Sequence, residues 1–330
     1  MGSSARTEAM KRLENLRHGA ELQGDNENSS SLPPAWLDKN KFYQAKEVFE
    51  QYFFSIFFAH LSGLLFLVFI PNMLNPLLYT GNSSNLVRIF RRYVSTMRHV
   101  RKWYEGDIWN PEDAAYESIT ITRRMHKNVA DRLNDKSVAM SQYDMALTQF
   151  SFIGLIVLFP QSLGIHCSRE DLESLVHFWR GVGYQLGLDN RFNICDGSLE
   201  ETEAICREIM NAVWRPKIKS PLPEAIQMSK DIIQAMSVVV PFLTWTAMMK
   251  FWCRLLDISF KKKTTYYVSI CYWLMYVAFQ ILLKFYVFRV FFNTMIKIAY
   301  WRTVKWQGHL EKKLERVIIE NSDDHKKPIL

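Results

Sequence analysis

The 330-residue chain has few of the residues that interrupt helices, with only 13 glycines and 11 prolines. No Asn-Gly or Asp-Gly pair stands between alternating apolar and polar residues, so the usual signal of a β-hairpin is missing. The chain is 48% hydrophobic and 14% aromatic, which is the composition of a folded protein with a sizeable core. These features predict an all-α, multi-helical fold.

Several common functional signatures are also missing. The five cysteines are odd in number and include no Cys-x-x-Cys pair, so they indicate reduced thiols instead of a disulfide framework or a zinc site. There is no His-Glu-x-x-His, Walker A or Gly-x-Ser-x-Gly motif. The glycines at 181, 183 and 187 have the wrong spacing for a dinucleotide loop. Metalloprotease, P-loop and α/β-hydrolase chemistry are therefore excluded.

The net charge of +8 raises the question of nucleic acid as a partner. The basic residues are spread along the chain, and no RNA-binding or zinc-finger motif accompanies them. Basic runs beside apolar segments more often face lipid head groups. We therefore expect a membrane as partner and no nucleic acid.

Composition divides the chain into three parts. Residues 1–33 are polar and predict a disordered tail, residues 34–245 predict the main helical domain, and residues 246–330 predict apolar C-terminal helices with a polar end. Within the second part, residues 52–70 predict a buried core helix. Within the third, residues 266–283 carry no formal charge and predict a membrane span or a deeply inserted hairpin arm, with a pair of core helices as the alternative.

Two helical segments carry the candidate site. Residues 85–104 place Arg92, Thr96 and His99 on one helical face, at positions i, i+4 and i+7. His126 lies on the next predicted helix. One histidine opposite a polar face suits a haem pocket, which needs an axial nitrogen ligand and polar groups over the open side of the iron. The alternative is a surface histidine, because Arg123 and Arg124 are its neighbours.

Five sequence blocks between residues 34 and 245 resemble a known family, the haem-dependent oxygenases of the MpaB and latex-clearing-protein (rubber oxygenase) type. The blocks are Pro34-Ala-Trp-Leu-Asp38, Arg92-x-x-x-Thr96, Ser118-Ile-x-x-x-Arg-Arg-Met-His126, Ser141-Gln-Tyr-Asp-Met-x-x-Thr-Gln-Phe150 and Phe178-Trp-Arg-x-x-Gly-Tyr-x-Leu-Gly-Leu-Asp-Asn-Arg-Phe-Asn193. The resemblance implies a globin-like helical core around haem b. Members use dioxygen to oxidise apolar substrates, some cleaving polyisoprene and others acting on a farnesyl chain at the endoplasmic reticulum membrane.

The resemblance also implies roles for individual residues. His126 matches the proximal haem ligand, and Arg92 and Thr96 match the distal, catalytic pair. A guanidinium binds a carboxylate with two hydrogen bonds, so we expect Arg123 to bind a haem propionate, with Arg124 and Arg98 as alternatives.

One position departs from the family pattern. Latex-clearing members carry a lysine before the distal threonine, and this chain has Ser95. A lysine-capped iron is therefore not expected, rubber becomes a less obvious substrate, and His99 is a substitute cap to consider.

The expected function is a haem b oxygenase at a membrane, that of the endoplasmic reticulum, acting with dioxygen on an isoprenoid- or lipid-like chain. Two alternatives stay open: a non-catalytic haem or lipid carrier or sensor on the same fold, and a structural membrane protein without a cofactor.

Overall fold

The computed structural model describes residues 3–27, 33–79, 81, 83–133 and 140–324. These residues form an all-α protein, as predicted, and their one β-type contact is an isolated bridge between Gln23 and Ser141. The globin-like arrangement of the core stays a prediction. The helices are α1 Ser3–His18, α2 Lys39–Gln51, α3 Phe53–Leu67, α4 Pro71–Tyr79, α5 Leu86–Glu105, α6 Ala114–Leu133, α7 Gln142–Leu158, α8 Arg169–Gln185, α9 Leu199–Ile209, α10 Arg215–Lys219, α11 Pro223–Ser237, α12 Trp245–Leu255, α13 Tyr266–Gln280, α14 Tyr286–Lys305 and α15 Gln307–Asp324.

Capping residues set several helix starts. A serine followed three positions later by an acidic residue predicts a capping box, and the sequence has this pattern at Ser168 and Ser198. Both boxes are formed, and Ser141 forms a third with Asp144. Each box satisfies backbone N–H groups that the first helical turn leaves without partners. α7, α8 and α9 therefore begin at fixed residues, and α7 and α8 supply two walls of the cavity described below.

The start of α6 differs from the prediction. Proline and acidic residues suit the first turn of a helix, so the sequence Pro111-Glu-Asp113 predicts that the helix starts there, but it begins at Ala114. The Asp113 carboxylate accepts hydrogen bonds from the backbone N–H groups of Ala115 (2.8 Å) and Asp107 (3.0 Å). These bonds hold residues 107–113 in a turn, so the helix starts after it.

The centre of the core is α3, which packs along α7. Its residues Phe53, Ile56, Ala59 and Leu65 are fully buried, which confirms a core helix within residues 52–70. A Cβ at Gly63 would lie 1.6 Å from the backbone oxygen of Ser151. Glycine is therefore required where these two helix backbones meet.

The N-terminal segment is ordered where the sequence predicts a disordered tail. α1 packs on α9 and α7, and Ala9, Leu13 and Leu16 are buried on one face. Their i, i+4, i+7 spacing forms an apolar stripe within a mostly charged segment, which is why the low average hydrophobicity is misleading. The prediction is wrong for this helix, and residues 28–32 lie outside the described residues.

The C-terminal helices lie against the same body. α13 packs on α12, α14 on α3 and α2, and α15 on α5. Within the described residues, α13 and the short turn after it form the segment Tyr266–Lys284, which has the length and hydropathy of a membrane span. Of its 18-residue apolar window, 28% is buried inside the protein. α2 and α3 together also have that hydropathy, but they are bent by 96°. The domain boundaries at residues 34 and 245 stay predictions, as does the span within residues 266–283.

Candidate functional site: an arginine-rich cavity

A cavity of about 760 Å³ opens between α5, α6, α7 and α8, and α3 and α4 close one side. This volume lies within the range of small-molecule and cofactor sites, roughly 300–1,000 Å³. Its walls are largely apolar. The charged residues among its described lining are arginines, and no aspartate or glutamate is among them. Such a cavity favours a large apolar ligand that carries negative charge.

One face of α5 supplies the first wall. Arg92, Thr96, His99 and Trp103 line the cavity along this face, as the predicted spacing requires. The lining residues of α5 extend from residue 88 to residue 103. This stretch of fifteen residues corresponds to about 22 Å of helix. The opposite face carries buried apolar residues, which fix the rotation of α5 about its axis.

Arg92 projects into this space. The residue is exposed and lines the cavity, while the surrounding protein lowers the pKa of its guanidinium by burial. The hydrogen bonds and ion pairs of the described residues give this guanidinium no partner. Because arginine stays protonated in proteins, Arg92 keeps a positive charge, and its N–H groups are available to donate hydrogen bonds to a ligand in the cavity.

His126 lies on α6, close enough to Arg92 and His99 for both charges to act on it. Burial, and secondarily these two neighbours, lowers the pKa of the imidazole from 6.5 to about 4. Its Nδ1 atom is shielded from solvent and has no hydrogen-bond partner among the described residues. The side chain also lines the cavity. His126 is therefore neutral near pH 7 and is not the surface histidine that the sequence left open.

The hydroxyl of Thr96 is already engaged. It donates to the carbonyl oxygen of Arg92 at 3.0 Å, one helical turn back. The remaining lone pairs of Thr96 can accept a hydrogen bond from the cavity, while Arg92 can only donate. The two residues therefore form a donor and acceptor pair on one wall.

His99 is tied to α6. Its Nδ1 lies 2.7 Å from the Ser118 hydroxyl, which also accepts a hydrogen bond from Trp103 Nε1 at 3.1 Å. Burial, and then the charge of Lys102, lowers the pKa of His99. His99 and Ser95 both line the cavity. A role for His99 as an iron cap stays a prediction.

The floor is aromatic. Trp103, Phe152 and Trp179 line it, and the ring of Phe152 stacks on that of Trp179. Trp179 Nε1 donates to the Tyr104 hydroxyl at 2.7 Å. Behind this layer, His60 is fully buried and donates from Nδ1 to the carbonyl of Phe152 at 3.1 Å, and burial lowers its pKa to about 3.

Arg123 is not brought to the cavity. Its guanidinium bonds the carboxylate of Asp25 at 2.5 and 3.0 Å and reaches the carbonyl of Gln185 at 3.4 Å. Burial raises the pKa of Asp25, but the hydrogen bond and charge of Arg123 outweigh it, so this pKa lies below its usual value. The pair joins the N-terminal segment to α6 behind His126, where a second cavity of about 20 Å³ lies. Arg123 therefore has a carboxylate partner of its own.

The two alternative arginines are also absent from the cavity lining. Arg98 donates to the side-chain oxygen of Gln307 at 2.8 Å, and Arg124 is exposed on α6. Neither lines the cavity.

Three arginines that the sequence analysis missed lie along the cavity. Arg88 and Arg91 precede Arg92 on α5, and Arg132 follows His126 by six residues on α6. Arg91 is paired with Glu311 of α15 at 2.7 Å. Helical periodicity was sufficient to find Arg88, because it lies one turn before Arg92 on the same face of α5. Arg132 does not share a face with His126 by this spacing, so only the structure places it at the cavity.

The fold and the site define a helical domain built around a large ligand cavity, and comparison with protein families gives its class. The chain belongs to the family described as ER-bound oxygenase mpaB/B'/Rubber oxygenase, catalytic domain, which matches residues 49–275. The match begins within α2 and extends past residue 245 into α13, and it includes Arg92, Thr96 and His126. This membership confirms the predicted family and identifies an oxygenase catalytic domain. No curated protein and no solved structure matches the chain.

Proposed function

We propose that this protein is a membrane-associated haem b oxygenase, which uses dioxygen to oxidise or cleave an apolar, isoprenoid- or lipid-like chain. One observation carries the proposal. His126, whose pKa is lowered to about 4, and Arg92 line the same large, mostly apolar cavity, in which the described lining includes no acidic residue.

The cavity residues fit haem b. A haem ligand histidine must be neutral, and its second ring nitrogen is usually hydrogen-bonded to a carbonyl, a carboxylate or a water. His126 meets the first condition through its lowered pKa. His126 and Asp25 both line the small second cavity. That cavity exceeds the roughly 10–15 Å³ that a buried water needs, so this side of His126 has room for a water as the second partner.

The charges of the site also suit haem, whose two propionates are anionic. Arg88 and Arg132 lie at the ends of α5 and α6 that meet, α5 near its start and α6 near its end. We assign the propionates to these two arginines in place of Arg123, because Arg123 is neutralised by Asp25. The apolar residues of α7 and α8 that line the cavity would enclose the porphyrin.

Arg92 and Thr96 then perform the positioning expected of the distal side. Bound haem b supplies an iron that binds and activates dioxygen. Arg92 donates hydrogen bonds and offers a fixed positive charge where negative charge develops during the reaction. Thr96 accepts one hydrogen bond from the cavity, since its own proton is held by the Arg92 carbonyl. The aromatic floor excludes water from the reacting groups.

The proposed substrate class rests on the apolar walls of the cavity, and the proposed location rests on the family and on the apolar segment that contains α13. Apolar residues of α3 and α4, such as Leu64, Leu67 and Leu77, also line the cavity and suit an apolar chain. The family description includes an endoplasmic-reticulum-bound type, and Tyr266–Lys284 is apolar enough to contact a membrane. We therefore propose the endoplasmic reticulum membrane as the location.

An absorption spectrum tests the cofactor. The purified protein should show a Soret band, and His126→Ala should lose or shift it. His309→Ala is the matched control, because His309 lies on α15 and is exposed, and it should leave the band unchanged. A colourless wild-type protein that also fails to bind added hemin would refute the haem assignment.

A second experiment separates an oxygenase from a carrier or sensor. Arg92→Ala should keep the Soret band but lose the formation of carbonyl products from dioxygen and a polyisoprenoid. Arg98→Ala is the matched control, since Arg98 lies on the same helix but outside the cavity. Wild-type protein that binds haem and shows no oxygen consumption with any polyene tested would favour the carrier.

A further inference from the structure

The last part of the chain contains a long stretch without acidic residues. Between Asp257 and Glu311 there is no aspartate or glutamate, and eight lysines and arginines lie in the same stretch. This stretch contains α13 and α14. Any charge on the surface of these two helices is therefore positive.

One face of α13 is fixed to the protein body. Cys271, Tyr272 and Phe279 are buried on this face. At its middle, Arg254 of α12 donates to the Tyr272 hydroxyl at 3.2 Å, and at its end the Gln280 amide donates to the carbonyl of Ser162 at 2.9 Å. The face thus has both apolar and polar contacts along the whole helix.

The segment after α13 is fixed as well. Leu283 is fully buried, and it lies so close to Gly164 that a Cβ there would come within 2.5 Å of Leu283. Gly164 also has a φ of +70°, which favours glycine. The two residues lock the C-terminal end of α13 against the turn that follows α7.

One face of α14 is fixed in the same way. The Asn293 side chain accepts the backbone N–H of Phe54 at 2.9 Å and donates to the carbonyl of Gln51 at 2.8 Å. Lys297 pairs with Glu50 at 2.5 Å. These contacts hold α14 over the bend between α2 and α3.

Phe54 of α3 packs against both Phe279 of α13 and Phe292 of α14, so the two helices are neighbours on α3. Their other faces are exposed and apolar. We call this surface the α13–α14 face. Its large members include Ile270, Trp273 and Leu274 on α13, and Phe291, Ile298 and Trp301 on α14. Each of these side chains is at least 42% exposed. An exposed apolar surface of this extent marks an interaction site.

We propose that the α13–α14 face inserts into one leaflet of a bilayer that contains anionic lipids, and that α13 lies along the membrane surface without crossing it. This inference deepens the membrane part of the proposed function and does not depend on haem. Crossing would require α13 to leave the body, which would expose Cys271, Phe279 and Leu283 and break the bonds of Tyr272 and Gln280. Lying in the interface keeps all of these contacts and buries the apolar side chains in lipid.

The positive charge of the α13–α14 face favours lipid over a second copy of this chain as its binding partner. Two copies meeting through the α13–α14 face would bring like charges together, because both surfaces are basic and contain no acidic residue. Lipid phosphates and anionic head groups complement Lys284, Arg302 and Lys305, which are exposed at the ends of α13 and α14. Basic residues beside an apolar surface are attracted to such membranes.

Flotation of the full chain with preformed vesicles tests the lipid. The protein should float with vesicles of phosphatidylcholine and phosphatidylserine, bind phosphatidylcholine alone more weakly, and lose part of the binding at high salt. The double variant Trp273→Glu and Phe291→Glu should lose flotation. Tyr43→Glu is the control, because Tyr43 is exposed on α2, away from this face.

Labelling tests the topology. Cysteines introduced by Met10→Cys on α1 and His309→Cys on α15 should both react with an impermeant maleimide when the protein is bound to preformed vesicles. A crossing α13 would protect one of them and would overturn the proposal. So would equal flotation of the wild type and the double variant, or a wild-type dimer that the double variant dissociates and that binds no vesicles.

The oxygenase proposal and the membrane-surface proposal can be refuted independently of each other. A double variant that folds and keeps the Soret band, but no longer floats, supports the α13–α14 face. Wild-type protein that floats and binds no haem would refute the oxygenase and leave the membrane surface standing.

Discussion

The lowered pKa of His126 gives the most specific prediction, which concerns acid. Its pKa of about 4 means that the imidazole stays mostly neutral at pH 5.5, whereas an ordinary histidine with a pKa near 6.5 is about nine-tenths protonated there. Only the neutral imidazole can bind iron. The affinity for hemin through His126 should therefore stay constant from pH 8 to pH 5.5, while a histidine with an ordinary pKa would lose about tenfold.

The lowered pKa of His126 also makes the stability of the folded protein depend on pH. Because the pKa is lowered on folding, the protein loses stability as the pH falls. His126 is neutral in the folded protein, but it accepts a proton in the unfolded chain below pH 6.5. Acid therefore favours unfolding, so stability that is present above pH 6.5 is lost as the pH falls toward 4. At pH 5.5 the loss from this residue is about 1.4 kcal/mol. The cause is burial first and then the charges of Arg92 and His99.

Two measurements check this prediction on the same protein. The first is hemin affinity by fluorescence quenching at pH 8, 6.5 and 5.5, with His126→Ala as the control for protonation of the propionates. The second is the imidazole titration of His126 by NMR in the cofactor-free protein. A tenfold loss of affinity at pH 5.5 in the wild type alone, or an NMR pKa near 6.5, would refute the reasoning.

Three further predictions concern stability, and thermal unfolding checks each of them. Gly63→Ala should destabilise the protein by about 1–3 kcal/mol or more, because the α3 and α7 backbones touch there, while Gly308→Ala, where a Cβ meets nothing within 4 Å, should have no such cost. Leu16→Ala should cost about 2–5 kcal/mol, since Leu16 is fully buried, and an unchanged Tm would mean that α1 is not part of the fold. Arg123→Ala should cost about 1–3 kcal/mol, because it leaves the half-buried carboxylate of Asp25 without its partner, and limited proteolysis should then release the N-terminal segment sooner, whereas wild-type resistance would contradict the contact.

The N-terminal segment shows where composition misleads. Residues 1–33 are polar on average, but an apolar stripe of three residues is enough to fix α1 once α9 offers a matching surface. Composition averages over the helix and hides the stripe. Partners that lie 181 and 184 residues away, such as Asn193 and Asp196 for Arg12, cannot be inferred from local sequence.

The arginines also show what local sequence can predict and what depends on residues distant in the sequence. The spacing of Arg92 and Thr96 places them on one face, and the structure confirms that both line the cavity. The residues next to Arg123 in the sequence do not distinguish it from an arginine that lines the cavity. In the structure, however, its guanidinium is ion-paired with the carboxylate of Asp25. The choice between a ligand and a protein carboxylate depends on a residue about one hundred positions away, so no local pattern could reveal it.

The sequence by itself determined the all-α class, the capped starts of α8 and α9, the family, and the shared helical face of Arg92, Thr96 and His99. These follow from periodicity, capping and motif, which act over a few residues. Only the tertiary structure decided that His126 lines the cavity with a lowered pKa, that Arg88 and Arg132 line the cavity in place of Arg123, and that α13 is fixed along one face. These properties depend on which side chains meet after the chain has folded, and burial and charge neutralisation exist only once they do.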